Sequence, residues 1–80
     1  MRNLRTEKHK ALLKVLKATR IEAGFRQVDL AEKLTVPQSM ISKYESGERR
    51  IDFLELIEIC DALGISMTEF VQKLDQAIKE

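Results

Sequence analysis

The segment QVDLAEKLTVPQSMISKYE, residues 27–45, holds the most chemically suggestive spacing in the chain. Set at 100° intervals, the residues around its second half divide into two sectors. Pro37, Met40, Ile41 and Tyr44 fall in one, and Gln38, Ser39, Ser42 and Lys43 in the other. The apolar sector is too small to explain a helix by burial alone. The polar sector is a row of groups suited to base edges in a major groove: Gln can bond adenine N6 and N7, Ser can donate or accept, and Lys can reach guanine O6 and N7. A helix used in this way needs a rigid seat, which its neighbours must supply.

Helical spacing of apolar residues recurs from end to end, and no stretch alternates long enough for a strand, so the predicted class is all-α. A first helix is expected over residues 6–23, burying Leu12, Val15, Leu16, Thr19 and Ala23 and stopped by Gly24. A second covers residues 27–34 with Leu30, Ala31 and Leu34 inward, and a third covers residues 38–45 after Pro37, whose fixed φ suits a helix start. Asp52 with Glu55, and Ser66 with Glu69, have capping-box spacing. Each is flanked by an apolar pair, Ile51 with Leu56 and Ile65 with Phe70, so they open a fourth and a fifth helix. The fourth is expected to bury Phe53, Leu56, Ile57, Cys60 and Leu63, and the fifth Met67, Phe70, Val71, Leu74, Ala77 and Ile78.

Composition narrows the function. Eighty residues, 44% hydrophobic and 34% charged, suit one domain over residues 1–80. No apolar run approaches a membrane span and the N-terminus is charged throughout, so an intracellular, cytoplasmic protein is expected. A net charge of +1 conceals a polarity. Residues 1–50 carry 12 Lys/Arg against 6 Asp/Glu, and residues 51–80 carry 2 against 7. One end suits a polyanion and the other does not. Cys60 reads as a small apolar core residue and His9 as a solvated one. The two make no metal cluster, no cofactor motif occurs, and no nucleophile, paired-carboxylate or phosphate-loop arrangement is present, so an enzyme is not expected.

Taken together, these positions resemble the Cro/C1-type (XRE) helix-turn-helix regulators and their compact five-helix, lambda-repressor-like DNA-binding domain. The resemblance runs over residues 12–78. It rests on Arg20 and Gly24, on Gln27, Leu30, Ala31, Leu34 and Val36, on Gln38, Ser39, Ile41, Ser42, Tyr44, Glu45 and Gly47, and on ALGIS at residues 62–66. It implies a transcriptional regulator that binds double-stranded DNA, as a homodimer on a palindromic operator. It also implies that Gln27 contacts the DNA backbone and steadies Gln38, and that Arg20 and Glu45 form a structural salt bridge. Arg26, Arg49 and Arg50 flank the motif and are expected to meet phosphates. Two other roles are known among small members of the family: an antitoxin bound to a toxin, and the controller protein of a restriction-modification system.

The sequence departs from the family pattern twice. Thr35 stands where the turn usually has Gly, which strains the backbone if φ is positive there. Arg26 replaces the usual Ser/Thr cap of the second helix. A dimer interface is expected at Leu54, Phe70, Val71, Leu74 and Ile78, with Ile21 and Leu54 exposed. Residues 1–10, with Arg2 and Arg5, are left as a DNA-contacting arm, an extension of the first helix or a disordered tail.

Overall fold

The computed structural model describes residues 4–80, with side chains from residue 7 onward. It consists of α1 (Leu4–Glu22), α2 (Gln27–Leu34), α3 (Gln38–Ser46), α4 (Phe53–Leu63) and α5 (Met67–Lys79), and no strand occurs among the described residues. Residues 4–10 therefore extend the first helix. Arg2 and the side chain of Arg5, the candidate arm contacts, lie outside the described residues.

α2 packs against α3 and α4, and α1 crosses both α3 and α5. The shared core comprises Val15, Leu16, Leu30, Ala31, Ile41, Tyr44, Leu56, Ile59, Cys60, Leu63 and Phe70. Ala31, 2% exposed, sits where α2 must pass close to its neighbours, and a larger side chain would overpack it. Cys60 is buried, which pushes its thiol pKa up, as its expected packing role requires.

Several burial expectations need correction. The buried face of α4 is Leu56, Ile59, Cys60 and Leu63, rotated toward Ile59 and away from Phe53, which is 68% exposed, and Ile57, which is half-buried. Phe70, assigned to an interface between copies, is 0% exposed and fills the centre of this fold. On α5 the inward residues are Phe70 with Met67, Leu74 and Ala77, whereas Val71 and Ile78 remain exposed. Ala23 is exposed at the end of α1. His9 is half-buried, and its ring lies with Leu13 over Gly47, where an added Cβ would come within 3.1 Å of Leu13 Cδ1.

The turn between α2 and α3 is closed by backbone. The Thr35 N–H donates to the Glu32 carbonyl at 3.2 Å and the Val36 N–H to the Ala31 carbonyl at 3.0 Å, the paired bonds of a Schellman ending. That ending places Thr35 at φ 59° and ψ 49°, so the residue adopts the left-handed backbone that Gly usually supplies. The turn keeps its path, and the strain falls on Thr35.

The seat of α3 is completed by a buried ion pair. Arg20 Nε donates to Glu45 Oε2 at 2.6 Å and an outer guanidinium nitrogen donates to Oε1 at 3.1 Å, with side-chain exposures of 8% and 5%. Arg20 also donates to the Phe25 carbonyl at 2.7 Å, and Gln27 Nε2 donates to Glu45 Oε1 at 3.1 Å. One carboxylate thus ties α1, the start of α2 and the end of α3 together.

Two outcomes follow. Thr35→Gly removes a left-handed β-branched residue and should stabilise the fold by about 1 kcal/mol in urea denaturation, and a loss of stability would contradict the strain. Arg20→Met or Glu45→Leu alone should each cost about 3–5 kcal/mol, because the survivor is a buried unpaired charge. The double variant should be more stable than either single one.

Candidate nucleic-acid interface

The outward side of α3 carries Gln38, Ser39, Ser42 and Lys43, all exposed, while Ile41 and Tyr44 are buried on its other side. None of the four bonds to another side chain among the described residues, so their donors and acceptors are free for a ligand. The helical spacing and the short turn before it produce this division. Leu34, Val36 and Met40 fill in beneath the helix, half-buried.

The N-termini of α2 to α5 are not treated alike. Asp52 Oδ1 accepts from Glu55 N–H at 2.8 Å at the start of α4, and Ser66 Oγ accepts from Glu69 N–H at 3.0 Å at the start of α5. The Asp52 box is reciprocal, with Glu55 Oε1 accepting from Asp52 N–H at 3.0 Å. The two helices of the motif have no such acceptor, since the cap residue is Arg26 for α2 and Pro37 for α3. Their first N–H groups, at the positive end of the helix dipole, have no cap side chain over them, which suits phosphate oxygens.

The candidate residues are not all arranged as the sequence suggests. Gln27 stands at the start of α2, but its amide donates to Glu45 and no hydrogen bond joins it to Gln38. Arg26 is 79% exposed at its side chain, and Asp29 grips it: Oδ2 accepts from Arg26 N–H at 2.8 Å and Nε at 3.0 Å, and Oδ1 accepts from an outer nitrogen at 2.9 Å. This hydrogen bonding pulls the Asp29 pKa below its ordinary value and raises that of Arg26. The Asp29 carboxylate therefore satisfies the N–H of the cap residue, while the bond that an Arg side chain cannot accept, from the first-turn N–H groups, is not replaced.

Arg49 stacks on the buried Tyr44 ring, 5.7 Å from its centre, with an outer nitrogen 3.8 Å from Glu55 Oε2. Its backbone N–H donates to the Lys43 carbonyl at 3.1 Å, so the residue closes the C-terminal end of α3. Burial raises the Tyr44 hydroxyl pKa, with Glu55 adding to the shift and Arg49 opposing it. The neighbouring Tyr44 hydroxyl raises the Arg49 pKa, with Glu55 and Asp52 adding to the shift. Arg50 is exposed and makes no ion pair among the described residues. Asp29 and Glu55 are the members of this surface that sequence reasoning missed; the three-residue spacing from each cap was the available signal.

Comparison with known proteins agrees with this architecture. A helix-turn-helix family model matches residues 16–70. Among solved structures, an XRE-family like protein from Pseudomonas syringae pv. tomato str. DC3000 is 36% identical, with 91% of this chain and 89% of that chain covered and a TM-score of 0.84. A mutant of the restriction-modification controller protein C.Esp1396I is 27% identical, with 92% and 99% covered and a TM-score of 0.88. The clp gene regulator ClgR from C. glutamicum is 25% identical, with 89% and 91% covered and a TM-score of 0.78. A search of curated proteins found no match. No described helix is long and apolar enough to cross a membrane. α3, packed on α2 and tied to α1 by the buried Arg20–Glu45 pair, is the second helix of a helix-turn-helix, and the chain belongs to the XRE family of non-enzymatic, DNA-binding transcriptional regulators.

Proposed function

We propose that the protein binds a two-fold symmetric operator in double-stranded DNA, with sequence specificity, as a homodimer in the cytoplasm. The observation that carries this reading is the unengaged row Gln38, Ser39, Ser42 and Lys43 on a helix whose position is fixed by Arg20, Glu45 and Gln27. In the complex, α3 enters a major groove with Gln38 and Ser39 leading, because residues near the N-terminus of a recognition helix reach the base edges. The first turns of α2 and α3, with Arg26, Arg49 and Arg50, meet the flanking phosphates and fix the register. Gln27 contributes its backbone N–H and the free part of its amide.

Homodimerisation draws support from apolar side chains that the monomer leaves in solvent. Leu54 is 72% exposed, and Phe53, Val71 and Ile78 are exposed with it on α4 and α5, while Leu74 is half-buried beside them. These helices lie in the acidic half of the chain, which suits an end turned away from DNA. A symmetric pair would set two copies of α3 into successive grooves ~34 Å apart. A role as the controller of a restriction-modification system is a narrower form of the same reading. It is favoured by the likeness to C.Esp1396I across nearly all of both chains, and a neighbouring endonuclease or methyltransferase gene would support it.

Gel shifts over a series of salt concentrations test the proposal. Gln38→Ala should lose ~1–3 kcal/mol of discrimination at one base pair, whereas Arg50→Ala should weaken all duplexes alike and reduce the salt slope by about 1. Binding that ignores salt, or equal losses from both variants, would contradict it. Val71→Asp should turn a sedimenting dimer into a helical monomer with weakened DNA binding, and a wild-type chain that stays monomeric at all concentrations would remove the homodimer.

A further inference from the structure

Arg26 and Arg49, two of the three arginines beside the recognition helix, each have a carboxylate beside them, hydrogen-bonded at Arg26 and 3.8 Å away at Arg49, and the two carboxylates are anchored in the same way. Asp29 and Glu55 each stand three residues after a helix cap and each accept the cap residue's own N–H, at 2.8 and 3.0 Å. That bond anchors the carboxylate to the backbone. The remaining acceptor capacity faces an arginine: Asp29 takes Arg26 through two side-chain bonds, and Glu55 Oε2 lies 3.8 Å from Arg49, which is also stacked on Tyr44. Arg50 and Lys43 are exposed without a carboxylate partner among the described residues. The basic surface therefore has cations without a carboxylate partner, one cation hydrogen-bonded to an anchored anion, and one with an anchored anion close by.

We propose that Asp29 and Glu55 are specificity-determining residues that act as internal substitutes for phosphate, lowering attraction to DNA until α3 is seated in its site. The inference rests on the DNA-binding reading above. Sequence-independent binding is driven by phosphate neutralisation and counterion release. An arginine whose charge is cancelled by an anchored neighbour contributes little to it. When α3 finds matching bases, the contacts it gains hold the phosphates against the motif long enough for Arg26 and Arg49 to exchange carboxylate for phosphate. The anchored carboxylates stay behind and repel any phosphate that is poorly placed, which penalises wrong duplexes more than the right one.

The test uses the full chain and a short duplex of mixed sequence, titrated across salt, beside the best duplex selected from a random pool. Asp29→Asn and Glu55→Gln keep an oxygen for the capping bond and remove only the charge, and circular dichroism verifies the fold of each independently. Each variant should bind the mixed duplex several-fold more tightly, with a salt slope steeper by about 0.9 for each arginine freed, and the preference for the selected duplex should shrink. The gain should vanish when Asp29→Asn is combined with Arg26→Ala, or Glu55→Gln with Arg49→Ala. Unchanged or weaker binding by both variants would overturn the proposal and show the acids as mere cap or positioning groups. A gain that persists without the arginine would also overturn it, by revealing a general charge effect. A wild-type chain that binds no duplex at low salt contradicts the DNA-binding reading itself, which separates that failure from this one.

Discussion

The buried bond between Arg20 and Glu45 fixes what the rest of the molecule presents. Apolar contacts hold α3 against α2, but burial is non-directional and tolerates small rotations of a short helix. Two parallel N–H to oxygen bonds from a planar guanidinium do not. Because Arg20 also donates to the Phe25 carbonyl and Glu45 also accepts from Gln27, both charges are satisfied where a lone charge would cost several kcal/mol. The result links the end of α1, the bend into α2 and the last turn of α3. The orientation of the outward row on α3 is inherited from that link.

Around it, the chain divides its stabilising chemistry by region. α4 and α5 have a first-turn N–H group capped by Asp52 and Ser66, while neither helix of the motif has a cap residue whose side chain accepts one. The motif also carries Thr35 in a left-handed conformation. Local stability is thus given up at the motif and retained at α4 and α5. The charge distribution follows the same division, with the basic residues concentrated in the half that contains the motif.

Much of this was legible in the sequence because it is written locally. Gly24, Gly47 and Gly64, the two capping-spaced acids and Pro37 punctuate the helices within a few residues, and the two-sided pattern of residues 37–45 needs no tertiary information. The Arg20 to Glu45 pair spans 25 residues and no periodicity exposes it; it was reachable only through the family resemblance. α4 was misread for a different reason. Phe53, Leu54, Leu56, Ile57, Ile59, Cys60 and Leu63 are apolar on almost every side, so the pattern does not say which face is inward, and packing on α2 and α5 chose Ile59 over Phe53. The six apolar residues on α5 likewise do not divide themselves between core and surface, and the largest of them, Phe70, fills the centre of the core. The capping spacing marks Glu55 only as a helix-start acid and does not single out Asp29, since the arginines beside them are brought there by side-chain reach that spacing does not report.

The central claim is that the exposed face of α3 reads a duplex and that two copies do so together. Selection of bound duplexes from a random-sequence pool measures this most directly. The expected result is one enriched sequence with two-fold symmetry and half-sites about one helical turn apart. No enrichment, or an asymmetric site with a single half, would contradict it.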